Sequence, residues 1–171
     1  MTTKTPQASQ AVIRLERRYE AAVEDLWYLW TTKEGFESWW GPEGFRVEVR
    51  KLDLRVGGEL EYDMIAVAPE QIEFLRRANM PASHGTRGTF ALIAPFESLE
   101  IIHMIDFIPG MRPYENRTRV EFVPEGNSVR MVITVDEHHD EQWTRLATMG
   151  WESQLTKLPG ALAARLVNPL S

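Results

Sequence analysis

Apolar and polar positions alternate through most of this chain, and the period of the alternation changes along it. In AVIRLERRYE (residues 11–20), Ile13, Leu15, Arg17 and Tyr19 fall on one side; Val12, Arg14, Glu16 and Arg18 fall on the other. A period of two with one largely apolar side predicts a strand with a half-buried face. The period then lengthens. Ala22, Val23, Leu26, Trp27, Leu29 and Trp30 recur at helical spacing, and Glu24 and Asp25 occupy the first turn, where the helix dipole favours carboxylates. Lys33 to Trp40 predicts a second short helix, ended by Gly41-Pro42.

Beyond that turn the period of two returns. FRVEVRKLDLRVGGELEYDMIAVA predicts two strands hinged at Gly57-Gly58. PEQIEFLRRANMPASHG places Pro69 at a helix N1 position ahead of Ile72, Phe74 and Leu75, which predicts an inserted short helix near 70–79. TRGTFALIA and SLEIIHMIDFIPG predict strands separated by a turn at Pro95, and RTRVEFVPEGNSVRMVITVD predicts a hairpin turning at EGNS. In the last segment Trp143, Ala147, Trp151, Leu155, Leu158 and Leu162 form one helical stripe. Pro159 either kinks that helix or opens a second, shorter one.

The order is a strand, two short helices, about six strands and a long helix, which makes the class α+β. The expected architecture is a curved antiparallel sheet of about six strands wrapped around a long C-terminal helix, with room for a ligand between them. Residues 1–10 are expected to be a disordered tail and residues 11–171 a single domain.

Composition narrows the function without naming it. With 171 residues, 43% hydrophobic and 26% charged, the chain has the make-up of an ordinary globular domain. The absence of cysteine removes disulfides, thiolate metal sites and cysteine nucleophiles. A net charge of -6 offers no basic face for nucleic acid. No apolar run approaches the ~18 residues of a membrane span, and MTTKTPQASQ lacks the apolar core of a secretory signal. The expectation is a cytoplasmic protein with no membrane insertion.

Several residues stand out as candidate chemistry. Trp39 and Trp40 are adjacent, so their rings cannot point the same way; one is expected to seal the core and the other to line a cavity entrance. His103 and Asp106 lie three apart on EIIHMIDF, which puts them on opposite faces of a regular strand and disfavours a catalytic dyad. Whichever faces inward is a single polar group able to orient a ligand, and the alternation leaves both registers open. VDEHHDEQW gathers Asp136, Glu137, His138, His139, Asp140 and Glu141, but adjacent histidines diverge, and an acidic first turn accounts for the carboxylates. No metal, cofactor or catalytic group is expected. Gly150 in mid-helix costs about 1 kcal/mol relative to alanine. It implies either close packing beside Trp151 or space left for a ligand, with Trp143, Leu146, Ala147 and Gln154 sharing that wall. Tyr62, Met64, Phe90, Val120, Phe122 and Met131 are inward candidates by alternation.

AAVEDLWYLWTTKEGFESWWGP, the GGELEYDM hairpin and the terminal MGWESQLTKL resemble the START-like helix-grip superfamily, also called SRPBCC. Within it they are most similar to the group of homologues of the activator of the heat-shock chaperone ATPase. Trp39, Trp40, Gly41 and Pro42, then Gly150 and Trp151, carry the likeness, which spans roughly residues 11–160. The resemblance implies a deep, mostly apolar cavity between the sheet and the C-terminal helix. Members of the superfamily bind lipids, sterols, polyketides or plant hormones, and a few are enzymes. Residues 69–85 depart from the pattern, with an insertion where a short turn is expected, placed to lie over the cavity mouth.

The function expected is therefore the binding of a small hydrophobic or aromatic molecule in that cavity. One alternative is a cyclase- or hydrolase-like enzyme using the same cavity, for which His103, Asp106, Asp63 and His84 are the acid–base groups at hand. The other is a protein-interaction or chaperone-regulating module, although the additional N-terminal domain of eukaryotic chaperone activators is not found in this sequence. Exposed sheet edges are compatible with a homodimer.

Overall fold

The change of period after Tyr19 is a change from sheet to helix in the computed structural model, which describes residues 11–108 and 110–167. The tail expected at residues 1–10 lies outside the described residues. The elements run β1 (Val12–Tyr19), α1 (Val23–Thr31), α2 (Lys33–Trp39), β2 (Phe45–Leu52), β3 (Glu59–Ala66), α3 (Pro69–Arg77), β4 (Ser83–Ala94), β5 (Ser98–Ile105), β6 (Tyr114–Glu125), β7 (Ser128–Asp136), α4 (Glu141–Leu155) and α5 (Leu158–Val167). This is an α+β helix-grip fold.

All strand pairs are antiparallel, in the order β1-β7-β6-β5-β4-β3-β2. The sheet has seven strands rather than about six, because β1 pairs with β7 along its whole length, from Val12 opposite Asp136 to Tyr19 opposite Val129. Register shifts between Val49 and Lys51 and between Phe90 and Leu92 add bulges, which increase twist and help the sheet curl. Both edge strands carry outward charges (Arg14, Glu16 and Arg18 on β1; Arg46, Glu48 and Arg50 on β2), which discourage edge-to-edge pairing.

The inward face holds two regions. At one end α1, α2 and α5 close over the sheet around Trp30, whose ring meets Trp39 at 5.0 Å, Trp40 at 5.6 Å and Trp151 at 6.2 Å. Its indole N–H donates to Met131 Sδ on β7 at 3.4 Å, and Trp27 meets Phe122 edge-on. At the other end α4 crosses the sheet without filling the space beneath it.

Some boundaries differ from the expectation. β5 stops at Ile105 instead of continuing to Gly110, and the chain turns there, with Met111 N–H donating to the Ile108 carbonyl. β4 and β6 begin earlier, at Ser83 and Tyr114, because they pair with β3 and β5 along these extensions. Pro159 opens a separate helix: α4 ends at Leu155, and α5 begins at Leu158 with the proline in its first turn, where no helical N–H is missed. Arg165 fastens α5 to α1, bonding Asp25 at 2.9 Å and lying 3.7 Å over the Tyr28 ring.

The insertion folds as expected into α3; none of the α3 residues lines the space between the sheet and α4, while His84 at the end of the insertion does. It hangs beside the loop at Gly44, whose carbonyl accepts from Val67 and Ala68 N–H, and it buries only Leu75. Asn79 ends it with φ of 57°, a left-handed cap conformation that asparagine tolerates.

Candidate functional site

A cleft of about 210 Å³ lies between the sheet and α4. Its floor follows the pleat: residues two apart on one strand share a face, so Tyr62 and Met64 of β3, His84 and Thr86 of β4, and His103 and Ile105 of β5 all point into it. Asn116 and Thr118 of β6 and Val135 of β7 extend the floor. Pairing aligns these residues in rows, with Tyr62 opposite Thr86, Met64 opposite His84, His103 opposite Asn116 and Thr118 opposite Val135. Ala147, Gly150, Trp151 and Gln154 of α4 form the roof, Trp40 and Pro42 one wall, and Phe107 and His138 complete the lining.

The two adjacent tryptophans part as the geometry of neighbouring residues requires. Trp39 is fully buried and its indole N–H donates to the Leu29 carbonyl at 2.8 Å, which makes it a core residue. Trp40 turns to the cleft, stacks on Phe36 at 4.4 Å and meets Trp151 edge-on at 5.1 Å. The following turn is pinned to the roof. Gly41 N–H donates to Gln154 Oε1 at 2.9 Å, and Glu43 N–H to Ser153 Oγ at 2.8 Å. Gly41 has φ of 91°, which a side chain would strain, and this lets the chain fold back sharply enough to bring Pro42 into the wall.

Behind Trp40 lies a buried relay. Its indole N–H donates to Tyr62 Oη at 3.0 Å, and Tyr62 Oη lies 3.1 Å from His103 Nε2. Burial alone pushes the His103 imidazole down to about 4, so it is neutral at pH 7. Burial likewise raises the Tyr62 phenol above its ordinary value, a shift that the Trp40 hydrogen bond opposes. His84 and His138 are also held below the usual histidine value, chiefly by burial. Among the described residues no Lys, Arg, Asp or Glu side chain lines the cleft. Its walls are therefore uncharged near neutrality.

Gly150 faces open space: a Cβ built on it meets nothing within 4 Å. No residue beyond its chain neighbours Met149 and Trp151 and its own helix backbone closes on this position.

Several sequence candidates sit elsewhere. Asp106 points away from the cleft, exposed, 3.8 Å from Arg87, because Ile101, His103 and Ile105 take the inward parity of β5. Phe90, Val120, Phe122 and Met131 are on the inward face but buried at the closed end of the sheet, where the α1 tryptophans and α5 fill the space. Trp143 sits near the α4 start beside His139, with its N–H capped by Asp140, and does not reach the cleft. Of the fifteen candidates, Trp40, Tyr62, Met64, His103, Ala147, Gly150, Trp151 and Gln154 are brought together. The cleft lining is mostly apolar, as the resemblance implies, with His84, Thr86, Asn116 and Thr118 forming a polar arc across its floor. That arc was legible in parity: Thr86 shares its side of β4 with Phe90, and Asn116 and Thr118 share theirs with Val120 and Phe122.

A larger hollow, about 650 Å³, opens between the end of β1 and the α4–α5 elbow. Most of its lining, including Arg18, Glu20, Glu152, Pro159 and Leu166, is exposed, so it is an open surface groove. The Tyr19 hydroxyl beside it is buried without a partner among the described residues, and burial pushes it up to about 12. Among the described residues no three His, Asp or Glu side chains converge as metal ligands, and no helix is long and apolar enough to cross a membrane.

The profile of the family described as Activator of Hsp90 ATPase homolog 1-like protein matches residues 20–163. The chain belongs to that family. As an Activator of Hsp90 ATPase homolog 1-like protein it shares its fold with solved structures of low sequence identity. Protein CV1439 from Chromobacterium violaceum is 22% identical, with a TM-score of 0.73 over 88% of this chain and 96% of that one. The AHSA1 protein SPO3351 from Silicibacter pomeroyi is 24% identical, with a TM-score of 0.71 over 91% of this chain and 99% of that one. CalU16 from Micromonospora echinospora is 18% identical, with a TM-score of 0.60 over 92% and 79%. No curated protein matches the chain.

Proposed function

We propose that this family member binds a small hydrophobic or aromatic molecule in the cleft between β3–β7 and α4. The observation that carries the reading is Gly150. A mid-helix glycine lowers helix stability by about 1 kcal/mol relative to alanine. Here that cost comes with no steric need from the sheet or the other helices, since a Cβ would meet nothing of theirs within 4 Å. What the missing side chain provides is room in the cleft. The cleft has room for a ring: a dry cavity of about 150 Å³ admits benzene, and about 210 Å³ accommodates a single ring with a short substituent. Burial at about 25 cal/mol per Å² of apolar surface would supply the affinity, through Trp40, Trp151, Met64 and Phe107.

The enzyme alternative draws no support from the Tyr62–His103 pair. Burial moves the histidine down and the tyrosine up, and both shifts lead away from the neutral range in which an acid–base catalyst works.

Native mass spectrometry of the purified protein, compared with its denatured mass, tests the binding reading. A discrete extra mass, lost on denaturation and absent from a Gly150→Trp variant, is the expected result. The same extra mass on the variant would place the ligand outside the cleft.

A further inference from the structure

The relay behind Trp40 determines which histidine nitrogen carries the proton. Trp40 Nε1–H can only donate, so Tyr62 Oη accepts from it. The phenolic proton then has one acceptor within reach, His103 Nε2 at 3.1 Å. If Nε2 carried the imidazole proton instead, the tyrosine hydroxyl would be left as a buried donor without an acceptor, at a cost of about 1–3 kcal/mol. The assignment that satisfies every group makes Nε2 the acceptor and puts the proton of the neutral imidazole on Nδ1.

That Nδ1–H has no hydrogen-bond partner among the described residues, yet it is not a sealed, unsatisfied atom; only Tyr19 Oη and His84 Nδ1 are of that kind. His103 is 6% exposed and lines the cleft, so a donor that is neither paired nor sealed has the cleft to open into. A second donor stands on the roof: Gln154 spends Oε1 on Gly41 N–H, which leaves its amide N–H₂ without an acceptor among the described residues. Two N–H donors, the Thr86 and Thr118 hydroxyls, aromatic walls and, among the described residues, no charged side chain in the lining describe a particular kind of ligand.

We propose that the cleft is selective for an uncharged, single-ring aromatic molecule bearing a hydrogen-bond acceptor, such as a ketone, ester or amide carbonyl, received by His103 Nδ1–H. This rests on the binding reading above and specifies the ligand class within it. A carboxylate of the same size is disfavoured, because desolvating its charge would be met by no cation. A plain hydrocarbon ring would fill the volume but leave the His103 donor buried and unpaired. Tyr62 acts here as a positioning residue, holding the imidazole in the tautomer that presents the donor.

Calorimetric titration with acetophenone, α-methylstyrene (the same shape with C=CH₂ in place of C=O) and benzoate tests the proposal on wild type and His103→Phe. The preference for acetophenone over α-methylstyrene is expected to be about tenfold larger in wild type than in the variant, the effect of one hydrogen bond of roughly 1.4 kcal/mol. Comparing the two preferences cancels the difference in hydration of the two ligands. Benzoate is expected to bind more weakly than acetophenone. Equal preferences in both proteins would overturn the donor assignment while leaving the binding cleft in place; no binding of either neutral ring would overturn both. Should the variant not fold, ¹⁵N spectra of the wild-type imidazole decide the point. A proton on Nδ1 is expected, and a proton on Nε2 would sink the proposal.

Discussion

Replacing Gly150 by alanine should make the protein more stable. Gly150 is interior to α4, with helical turns on either side, so alanine removes backbone freedom from the unfolded chain. The gain in a helix interior is about 0.8–1.0 kcal/mol. No neighbour offsets it, because the new Cβ lies more than 4 Å from every atom outside its own helix turn. For a domain of this size, about 1 kcal/mol raises Tm by roughly 2–4 °C. Differential scanning calorimetry reads the shift, and titration with acetophenone reads the cleft in the same samples. The methyl group should raise Tm and leave binding measurable but weakened. Gly150→Trp should keep the fold and lose binding, since an indole occupies much of about 210 Å³. A lowered Tm for the alanine variant would mean that Gly150 is a packing glycine, and the space argument for the cleft would fail.

Trp39→Phe should cost about 2–3 kcal/mol in urea unfolding, by leaving the buried Leu29 carbonyl without its 2.8 Å donor and opening a void, while ligand affinity stays near wild type; a large affinity loss would remove the distinction between the core and cleft tryptophans. The depressed His103 value makes stability pH-dependent. Above the unfolded value of about 6.5 the imidazole is neutral in both states; as pH falls through 6.5 toward 4, the unfolded chain takes the proton first and stability drops, by up to about 3 kcal/mol. His84 and His138 act in the same sense. Urea midpoints at pH 7 and pH 5 should show this loss, and it should shrink in His103→Phe. Arg165→Ala should cost about 1 kcal/mol by removing the Asp25 pair and the cation over Tyr28, seen as a lower urea midpoint; an unchanged midpoint would mean that this tether adds nothing to α5 docking.

The fold was legible because its elements differ in period. The alternation of β1, the helical spacing of α1 and the Gly57-Gly58 hinge are local signals, and Pro159 at the start of α5 marks a boundary that any helix must respect. Strand ends were less legible. The residues of β4 from Ser83 and of β6 from Tyr114 become strand by pairing with β3 and β5, a nonlocal cause. The site divided along the same line. Tyr62 and Met64 follow from alternation, whereas the choice of His103 over Asp106 depends on register, fixed by Gly88 and Asn116 opposite the histidine. Phe90, Val120, Phe122 and Met131 have the correct parity but the wrong end of the sheet, and where α1 and α5 land decides that. Pro42, Phe107 and His138 reach the cleft from loops, for which no periodic signal exists.

The most direct test of a ligand site between sheet and helix is a ¹H–¹⁵N titration of the protein with acetophenone. Saturable shifts of the Trp40 indole N–H, the Gly150 amide and the Gln154 side-chain amide are expected together, with Trp39 unmoved. Shifts confined to Tyr19, Leu155 and Leu162 would place the ligand in the β1–α5 groove instead, and an unshifted spectrum at millimolar ligand would contradict the cleft as a binding site.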